Sequence, residues 1–426
     1  MKREWPVSPI YGIELSGLHT MNIDLMRQLD RKLGIPLCFL FSILNGIKKL
    51  FKGNSPPKDS RKILFIELSE MGSMVLAFSL FKKTKELFPE AEFYFLTFQK
   101  NRYAIDILDV IPEENVLVID DSSLFVFLKT AIRSLRHLRK KKITTVLDME
   151  FFSRFTSIYT FLCGANETVG YFRYGNEGLY RGRLLTHRVQ YNPQIHTSFN
   201  LLNLIYALDE SNEDLPTPKK PIDKEDLVIP RKAKISEDAR KHILDKLKEL
   251  NSDIIQADKI LLLNPNASDI IPLRRWPVDN YIGLASKLLK LKGIYIVLTG
   301  IEPERQICES ISRALNYKRC LNFAGKTSFS ELIDLYSISD ALITNDSGPA
   351  HFSAMTDIQT FVFFGPETPK LYGSLGKNCH VFYSNHSCSP CVSVFNHRQS
   401  PCRDNKCLKA ISVQEVYDKV SEKLEL

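Results

Sequence analysis

Asp346, Ser347 and His351 fall in one short run, Asn345-Asp346-Ser347-Gly348-Pro349-Ala350-His351, set between apolar stretches at residues 341–344 and 361–364. Apolar runs of that length, closed by Gly and Pro, read as buried strands with one short helix between them. Ser347 is placed to cap the helix, Pro349 suits its first turn, and Gly348 lets a ligand approach the backbone. The run therefore has the chemistry of an anion site with a carboxylate and an imidazole beside it. The plainer alternative is a capped helix in which Asp346 satisfies backbone NH groups and His351 sits in the core.

Further polar runs follow other apolar stretches in the same half: Asn264-Pro265-Asn266-Ala267-Ser268, Arg274-Arg275-Trp276-Pro277, Thr299-Gly300 with Glu304 and Arg305, and Gly325-Lys326-Thr327-Ser328. If the apolar stretches form a parallel sheet, these runs converge on its carboxyl edge, where such sheets bind ligands. They bring cations, hydroxyls and backbone NH groups suited to a diphosphate, and carboxylates suited to ribose or sugar hydroxyls. A nucleotide sugar fits that inventory.

The elements that must position these residues alternate along the chain. In the first half, residues 62–68, 93–98, 116–119, 145–147 and 168–172 read as strands and 124–138 as the clearest helix, with a further helix over 196–208. In the second half, strands at 259–264, 294–298, 320–324, 341–344 and 361–364 alternate with helices at 278–291, 303–315 and 328–337, and 413–426 forms a last amphipathic helix. Strands alternating with helices predict an α/β protein with two doubly wound parallel sheets facing a cleft. The expected division is an N-terminal extension over 1–60, a first domain over 61–212, a Pro-rich linker over 213–235, a second domain over 236–410 and a C-terminal helix over 411–426.

A chain of 426 residues that is 44% apolar and 25% charged is an ordinary globular protein with room for two cores. The net charge of +8, gathered partly in runs such as 48–52 and 139–142, suits anionic ligands or a membrane surface, and no nucleic-acid-binding motif is present. Residues 34–47 are apolar but fall short of the roughly 20 residues needed to span a bilayer. With Lys48, Lys49 and Lys52 behind it, this segment reads either as an amphipathic helix in the membrane interface or as a helix packed on the protein body. No signal peptide is recognised, so the expected location is cytoplasmic, peripheral at most on the inner face of the membrane. Of nine cysteines, Cys388, Cys391, Cys402 and Cys407 crowd into a loop-rich stretch that can hold clustered thiols, disulfides or a structural zinc, with no catalytic part.

The ordered set Asn264 to Ser268, Arg275-Trp276-Pro277, Gly300 with Glu304, Gly325-Lys326-Thr327, Asn345 to His351 and Phe364-Gly365-Pro366 resembles glycosyltransferase family 9, the heptosyltransferase-like enzymes of bacterial lipopolysaccharide assembly. The cysteine cluster also resembles one seen in members, and the likeness runs from about Lys62 to the end. It implies a GT-B architecture of two Rossmann-like domains, the first for acceptor and the second for donor. It also implies inverting transfer from a nucleotide-diphosphate sugar, ADP-heptose or similar, to a lipid-linked glycan, with no cofactor and no essential metal. By motif position Asp346, Ser347, Gly348 and His351 hold the donor sugar and phosphates, Glu304 the ribose, and Arg274 or Arg275 the leaving diphosphate, with Thr299, Gly300 and Lys326 beside them.

The first domain departs from that pattern. Members carry Gly-Asp in the first loop, the Asp serving as general base, whereas this chain reads Met71-Gly72-Ser73. A serine hydroxyl needs a base of its own; Glu70, the nearest carboxylate to Ser73, with Glu67 on the preceding strand, reads either as that base, a role another carboxylate could also fill, or as a surface loop residue. A non-catalytic relative that binds nucleotide sugar or glycan in an assembly complex is the alternative.

Overall fold

The computed structural model describes residues 23–49, 61–151, 153–175, 177–210, 217–230, 235–268, 271–396 and 398–426. Residues 1–22 and 50–60 of the expected extension, Lys52 among them, and residues 213–216 and 231–234 of the expected linker lie outside the described residues.

The first half opens with consecutive helices α1 (Ile23–Lys32) and α2 (Gly34–Lys49). It continues through β1 (Lys62–Ile66), α3 (Met71–Leu76), α4 (Phe78–Leu87), β2 (Glu92–Phe98), α5 (Arg102–Leu108), β3 (Val116–Ile119) and α6 (Leu124–Lys141). It closes with β4 (Thr145–Asp148), α7 (Arg154–Cys163), β5 (Glu167–Tyr171), β6 (His187–Val189) and α8 (Thr197–Tyr206). The second half runs through α9 (Glu237–Lys248), β7 (Lys259–Asn264), α10 (Val278–Leu289), β8 (Ile294–Leu298), α11 (Arg305–Leu315), β9 (Cys320–Asn322), α12 (Phe329–Ser337) and β10 (Ala341–Asn345). It ends with α13 (Gly348–Phe352), β11 (Gln359–Phe364), α14 (Pro369–Tyr372), β12 (Cys379–Tyr383), α15 (Lys406–Lys409) and α16 (Val413–Leu424).

Each half is a six-stranded sheet, ordered β3-β2-β1-β4-β5-β6 and β12-β11-β10-β7-β8-β9, and every strand pair is parallel. The central strands read as continuous apolar runs, Lys62-Ile-Leu-Phe-Ile66 for β1, because helices cover both of their faces. Both sheets reverse strand order beside their first strand, between β1 and β4 and between β7 and β10. The loops at those two points are where this fold binds ligands. One apolar cluster includes Met74, Leu80 and Ile105 of the first half together with Phe323, Ile333, Phe352 and Met355 of the second. The two sheets therefore close on each other as a GT-B pair with their carboxyl edges facing. The C-terminal α16 returns to its own domain, burying Val416, Val420 and Leu424 with α10.

The expected strands of both halves are present, and the structure adds two short ones, β6 and β12, at the sheet edges. The apolar segment expected at residues 34–47 is a helix, α2, packed on the first domain. Along α2 the small and polar residues Gly34, Cys38 and Asn45 are buried, while the large apolar ones face outward.

Candidate active site

Asn345, at the end of β10, assembles the second-domain half of the site. Its amide donates to the carbonyls of Pro265 and Asn266, both at 3.0 Å, and its side-chain oxygen accepts from the backbone NH of Trp276 at 2.8 Å. One buried side chain thus joins the loop after β7, the arginine loop and the start of the Asp346 run. Trp276 is itself fixed by stacking on Phe363 at 4.3 Å and by donating from its indole NH to the Ile411 carbonyl.

Held in this way, Asp346 is 3% exposed and its Oδ2 has no hydrogen-bond partner. Its nearest cation is Arg274, at 3.7 Å, which is an ion pair without a hydrogen bond. Burial lifts the Asp346 carboxyl to about 6 against the pull of Arg274. Arg274 Nε and His351 Nδ1 also lack hydrogen-bond partners, and burial, with His196 and Arg274 nearby, holds His351 neutral with a pKa of about 3. Buried polar atoms left unpaired cost about 1–3 kcal/mol each unless a ligand supplies the missing bonds. These three atoms lie together at the strand-order reversal, the place where sheets of this kind bind ligands.

Ser347 takes the N-cap position ahead of α13, but its hydroxyl makes no capping bond and donates instead to the Asn345 carbonyl at 3.2 Å. The expected cap is therefore absent, and Asp346 does not cap the helix either. Pro349 lies in the first turn as expected. Arg275 is separate from Arg274: it donates from Nε and from its guanidinium end to the Ala267 carbonyl, at 3.1 and 2.5 Å, so it braces the loop after β7. Thr299, Gly300 and Glu304 gather at the end of β8. Asn264 donates to the Thr299 hydroxyl at 3.4 Å, Asn266 to the Thr299 carbonyl at 3.3 Å, and Glu304 accepts from the Ile301 NH at 2.9 Å. A Cβ at Gly300 would come within 2.8 Å of the Asn266 amide and of the Glu304 carboxylate, and both side chains would have to move. Lys326 follows β9, and its carbonyl accepts from the Lys246 ammonium at 3.1 Å.

The first-domain loop lies directly across. A Cβ on Gly72 would stand 2.6 Å from His351 Cδ2, so only glycine lets the two halves meet here. The Ser73 hydroxyl is buried and donates to the Glu70 carbonyl at 2.7 Å. Glu70 stands at the start of α3, and its carboxylate is ion-paired with Arg398 of the second domain. Glu67, at the end of β1, is buried, and desolvation, reinforced by Glu150, holds its carboxyl well above the ordinary range. Glu150 shapes this loop by accepting from the backbone NH groups of Leu68 and Ser69 at 2.8 and 2.9 Å and from the Ser69 hydroxyl at 2.7 Å.

Two residues at the site were not anticipated from the sequence. Glu367, at the end of β11, is 2% exposed, its Oε2 has no hydrogen-bond partner, and burial together with Asp346 pushes its carboxyl up to about 8. Arg398 lies 4.0 Å from Glu367, pairs with Glu70 and sits over the Tyr372 ring at 5.5 Å. Burial lowers Arg398 to about 10, which leaves it charged at neutral pH. The carboxylate in Phe364-Gly365-Pro366-Glu367 was visible as a polar residue at a strand end, whereas Arg398 gave no sign because its loop has no periodicity. The nine cysteines are free thiols, and among the described residues no group of three or more His, Cys, Asp or Glu is arranged to hold a metal.

Comparison with known proteins agrees with this architecture. A lipooligosaccharide heptosyltransferase 2 of Campylobacter jejuni is 28% identical over 183 residues, 42% of this chain and 56% of that protein. The match thus spans about half the length of this curated relative. The structure of E. coli ADP-heptose lps heptosyltransferase II superposes with a TM-score of 0.65 at 21% identity, covering 85% of this chain and 98% of that one. A glycosyltransferase family 9 structure from Veillonella parvula gives 0.65 at 18% identity, covering 87% and 99%. The family model for glycosyltransferase family 9 (heptosyltransferase) matches residues 133–400, which takes in the loops after β7, β8 and β10, and the chain belongs to that family.

Proposed function

We propose that this protein is an inverting glycosyltransferase that moves a heptose or similar sugar from a nucleotide-diphosphate donor, ADP-heptose or a close analogue, to a lipid-linked glycan of the lipopolysaccharide type. The observation that carries the reading is the set of buried, unpartnered atoms on Asp346, His351 and Arg274 at the β7/β10 reversal. Ligands bearing a diphosphate and several hydroxyls supply the bonds those atoms lack. The named relative from Campylobacter, a heptosyltransferase, supports the choice of sugar.

In this reading Arg274 offsets the charge that develops on the leaving diphosphate. Asp346, Ser347, Gly348 and His351 hold the sugar and phosphates, Glu304 takes the ribose, and Thr299, Gly300 and Lys326 frame the nucleoside. Arg275 acts through the loop it braces. Glu70 takes the proton from the acceptor hydroxyl as that oxygen attacks the anomeric carbon opposite the diphosphate, which inverts the configuration. Ser73 orients Glu70 through the bond to its carbonyl. Turnover is expected to need no metal and to persist under chelation. The work would take place on the cytoplasmic side, where nucleotide sugars are found with their acceptor.

The Glu70–Arg398 pair is the observation that favours the alternative, a nucleotide-sugar-binding relative without turnover, because a carboxylate held by a buried cation is a weak base. Purified protein given ADP-heptose and a lipid-linked acceptor is expected to release ADP. Glu70→Gln is expected to lower kcat by 10²-fold or more, in line with general-base loss, while donor affinity stays unchanged. A rate equal to wild type in Glu70→Gln would remove Glu70 from the mechanism, and donor binding without turnover in the wild type would favour the alternative.

A further inference from the structure

The helix α2 is built inside out for a protein in water. Its inward face carries Gly34, Cys38, Ser42 and Asn45, and its outward face carries Ile35, Leu37, Phe39, Leu40, Ile43 and Ile47, with Phe39 60% exposed. Its exposed face presents no charged or hydrogen-bonding side chain between residues 35 and 47.

The inward polar groups are engaged with one loop of the first domain. Ser42 Oγ accepts from the Arg183 NH at 2.7 Å, and the Asn45 amide donates to the Arg183 carbonyl at 2.8 Å. Gly182, at φ +72°, seats against the Cys38 carbonyl, where a Cβ would come within 2.6 Å. The same loop continues inward through Arg181, which is paired with Asp148 and donates to the Tyr171 carbonyl at 3.2 Å. Just before it, the Tyr180 carbonyl accepts from Arg154, whose guanidinium also pairs with Asp30 of α1 at 3.0 Å. Thus α1 and α2 are docked on α7 and on the 180–183 loop by specific polar bonds, and the apolar side is left outward.

A second helix on the same face of the sheet has matching chemistry. Like α2, α6 packs on α7, through Phe127 and Phe155 with rings 4.9 Å apart, while Phe41 of α2 meets Phe161 of α7 at 5.5 Å. Its outer stripe is Leu124, Phe125, Leu128 and Ile132, Phe125 being 76% exposed. Beside that stripe Lys129, Arg133, Arg136, Arg139 and Lys140 are exposed, and α6 contains no acidic residue.

From this arrangement we infer that α2 is buried by its outer face in one leaflet of an anionic lipid bilayer, with the basic side of α6 lying on the headgroups. The occupant is read from chemistry. Protein interfaces mix apolar and polar surface, whereas a helix face without a polar group matches hydrocarbon, and basic side chains without acids beside it match anionic headgroups. The 16 residues of α2 make about 24 Å of helix, less than the roughly 30 Å hydrocarbon core, and no described helix is long and apolar enough to cross a membrane. The helix therefore lies within one side. Its polar grip on residues 180–183 then fixes the mouth of the first domain at the membrane surface, so that an acceptor anchored in lipid reaches the cleft laterally. Only this last step rests on the transferase reading, since lipid binding itself needs neither donor nor turnover.

The test is sedimentation of the full chain with vesicles of phosphatidylglycerol and phosphatidylethanolamine, and separately of phosphatidylcholine. The expected result is co-sedimentation with the anionic vesicles that survives a high-salt wash and yields to detergent. The double variant Phe39→Glu/Ile43→Glu should lower the bound fraction at least tenfold with its thermal midpoint unchanged, because both positions point away from the protein. Arg133→Glu/Arg136→Glu should abolish the preference for anionic over zwitterionic vesicles. Protein left in the supernatant with both vesicle types, or released by salt alone, would overturn the inference. So would a lipid-free dimer in sedimentation velocity that the Phe39→Glu/Ile43→Glu variant converts to monomer, since the face would then be covered by a second copy.

Discussion

At the scale of single residues, the buried carboxyls of the cleft tie stability to pH. Glu367 has a folded-state pKa near 8 against an ordinary value of 4.5, so between those limits the folded protein holds a proton that the unfolded chain has lost. The unfolded state then binds fewer protons, and stability falls as the pH rises through that window. Glu367→Gln removes the contribution, so the thermal midpoint of the variant should rise relative to wild type on going from about pH 5 to about pH 8. A constant offset across that range would show that Glu367 does not titrate in the folded protein. The position of Asp346, Ser347, Gly348 and His351 at the carboxyl end of a buried strand was legible in the sequence, because turn chemistry marks that end. The role of Ser347 was misread, since a hydroxyl at a cap position has a second choice, the carbonyl two residues back, and here it takes that one. Sequence left Arg274 and Arg275 as alternatives, since it places two cations side by side without saying which faces Asp346 and which bonds the Ala267 carbonyl.

At the scale of elements, two glycines decide whether neighbouring pieces can approach. Gly72 lies beneath His351, and Gly72→Ala would force a Cβ to 2.6 Å from the imidazole. Overpacking of that kind costs about 1–3 kcal/mol, so kcat/KM is expected to fall roughly tenfold to hundredfold while unfolding of the separate domains changes little. An unaltered kcat/KM would mean the two halves work further apart than they stand here. Gly182→Ala combines a left-handed φ with a clash against Cys38 and Ser42. It should cost about 1–3 kcal/mol in denaturant unfolding, and an effect within error would show that the loop rests only lightly on α2. The long elements were readable from apolar periodicity, including β7, β8 and α10 nearly to their ends. The edge strands β6 and β12 were not: β6 is 3 residues, and β12 exposes part of its apolar surface, so neither gives a repeat long enough to recognise. The apolar content of α2 was evident, but its inversion depends on which residues bond to the 180–183 loop, a contact 138 residues distant in sequence for Asn45.

At the scale of the whole molecule, the two sheets meet with their carboxyl edges together and bury the loops of those edges between them. Contacts across the cleft include Glu70 with Arg398, the His196 imidazole with the Gly373 carbonyl at 2.9 Å, and Lys370 with Gln194 at 3.1 Å. These polar bridges lie beside the buried apolar contact that includes Phe352 and holds the two halves together. Two doubly wound sheets were readable from alternating strands and helices, but the closeness of their approach was not, because it is set by Gly72 and by side chains on loops without periodicity. The central claim is that the enclosed polar cluster around Asp346 is a nucleotide-sugar site. It is tested most directly by calorimetric titration of ADP-heptose into wild type, Asp346→Ala and Arg274→Ala. The account predicts saturable binding to wild type and at least tenfold weaker binding to each variant, about 1.4 kcal/mol or more. Equal affinity across the three proteins, or no binding to the wild type, would contradict it.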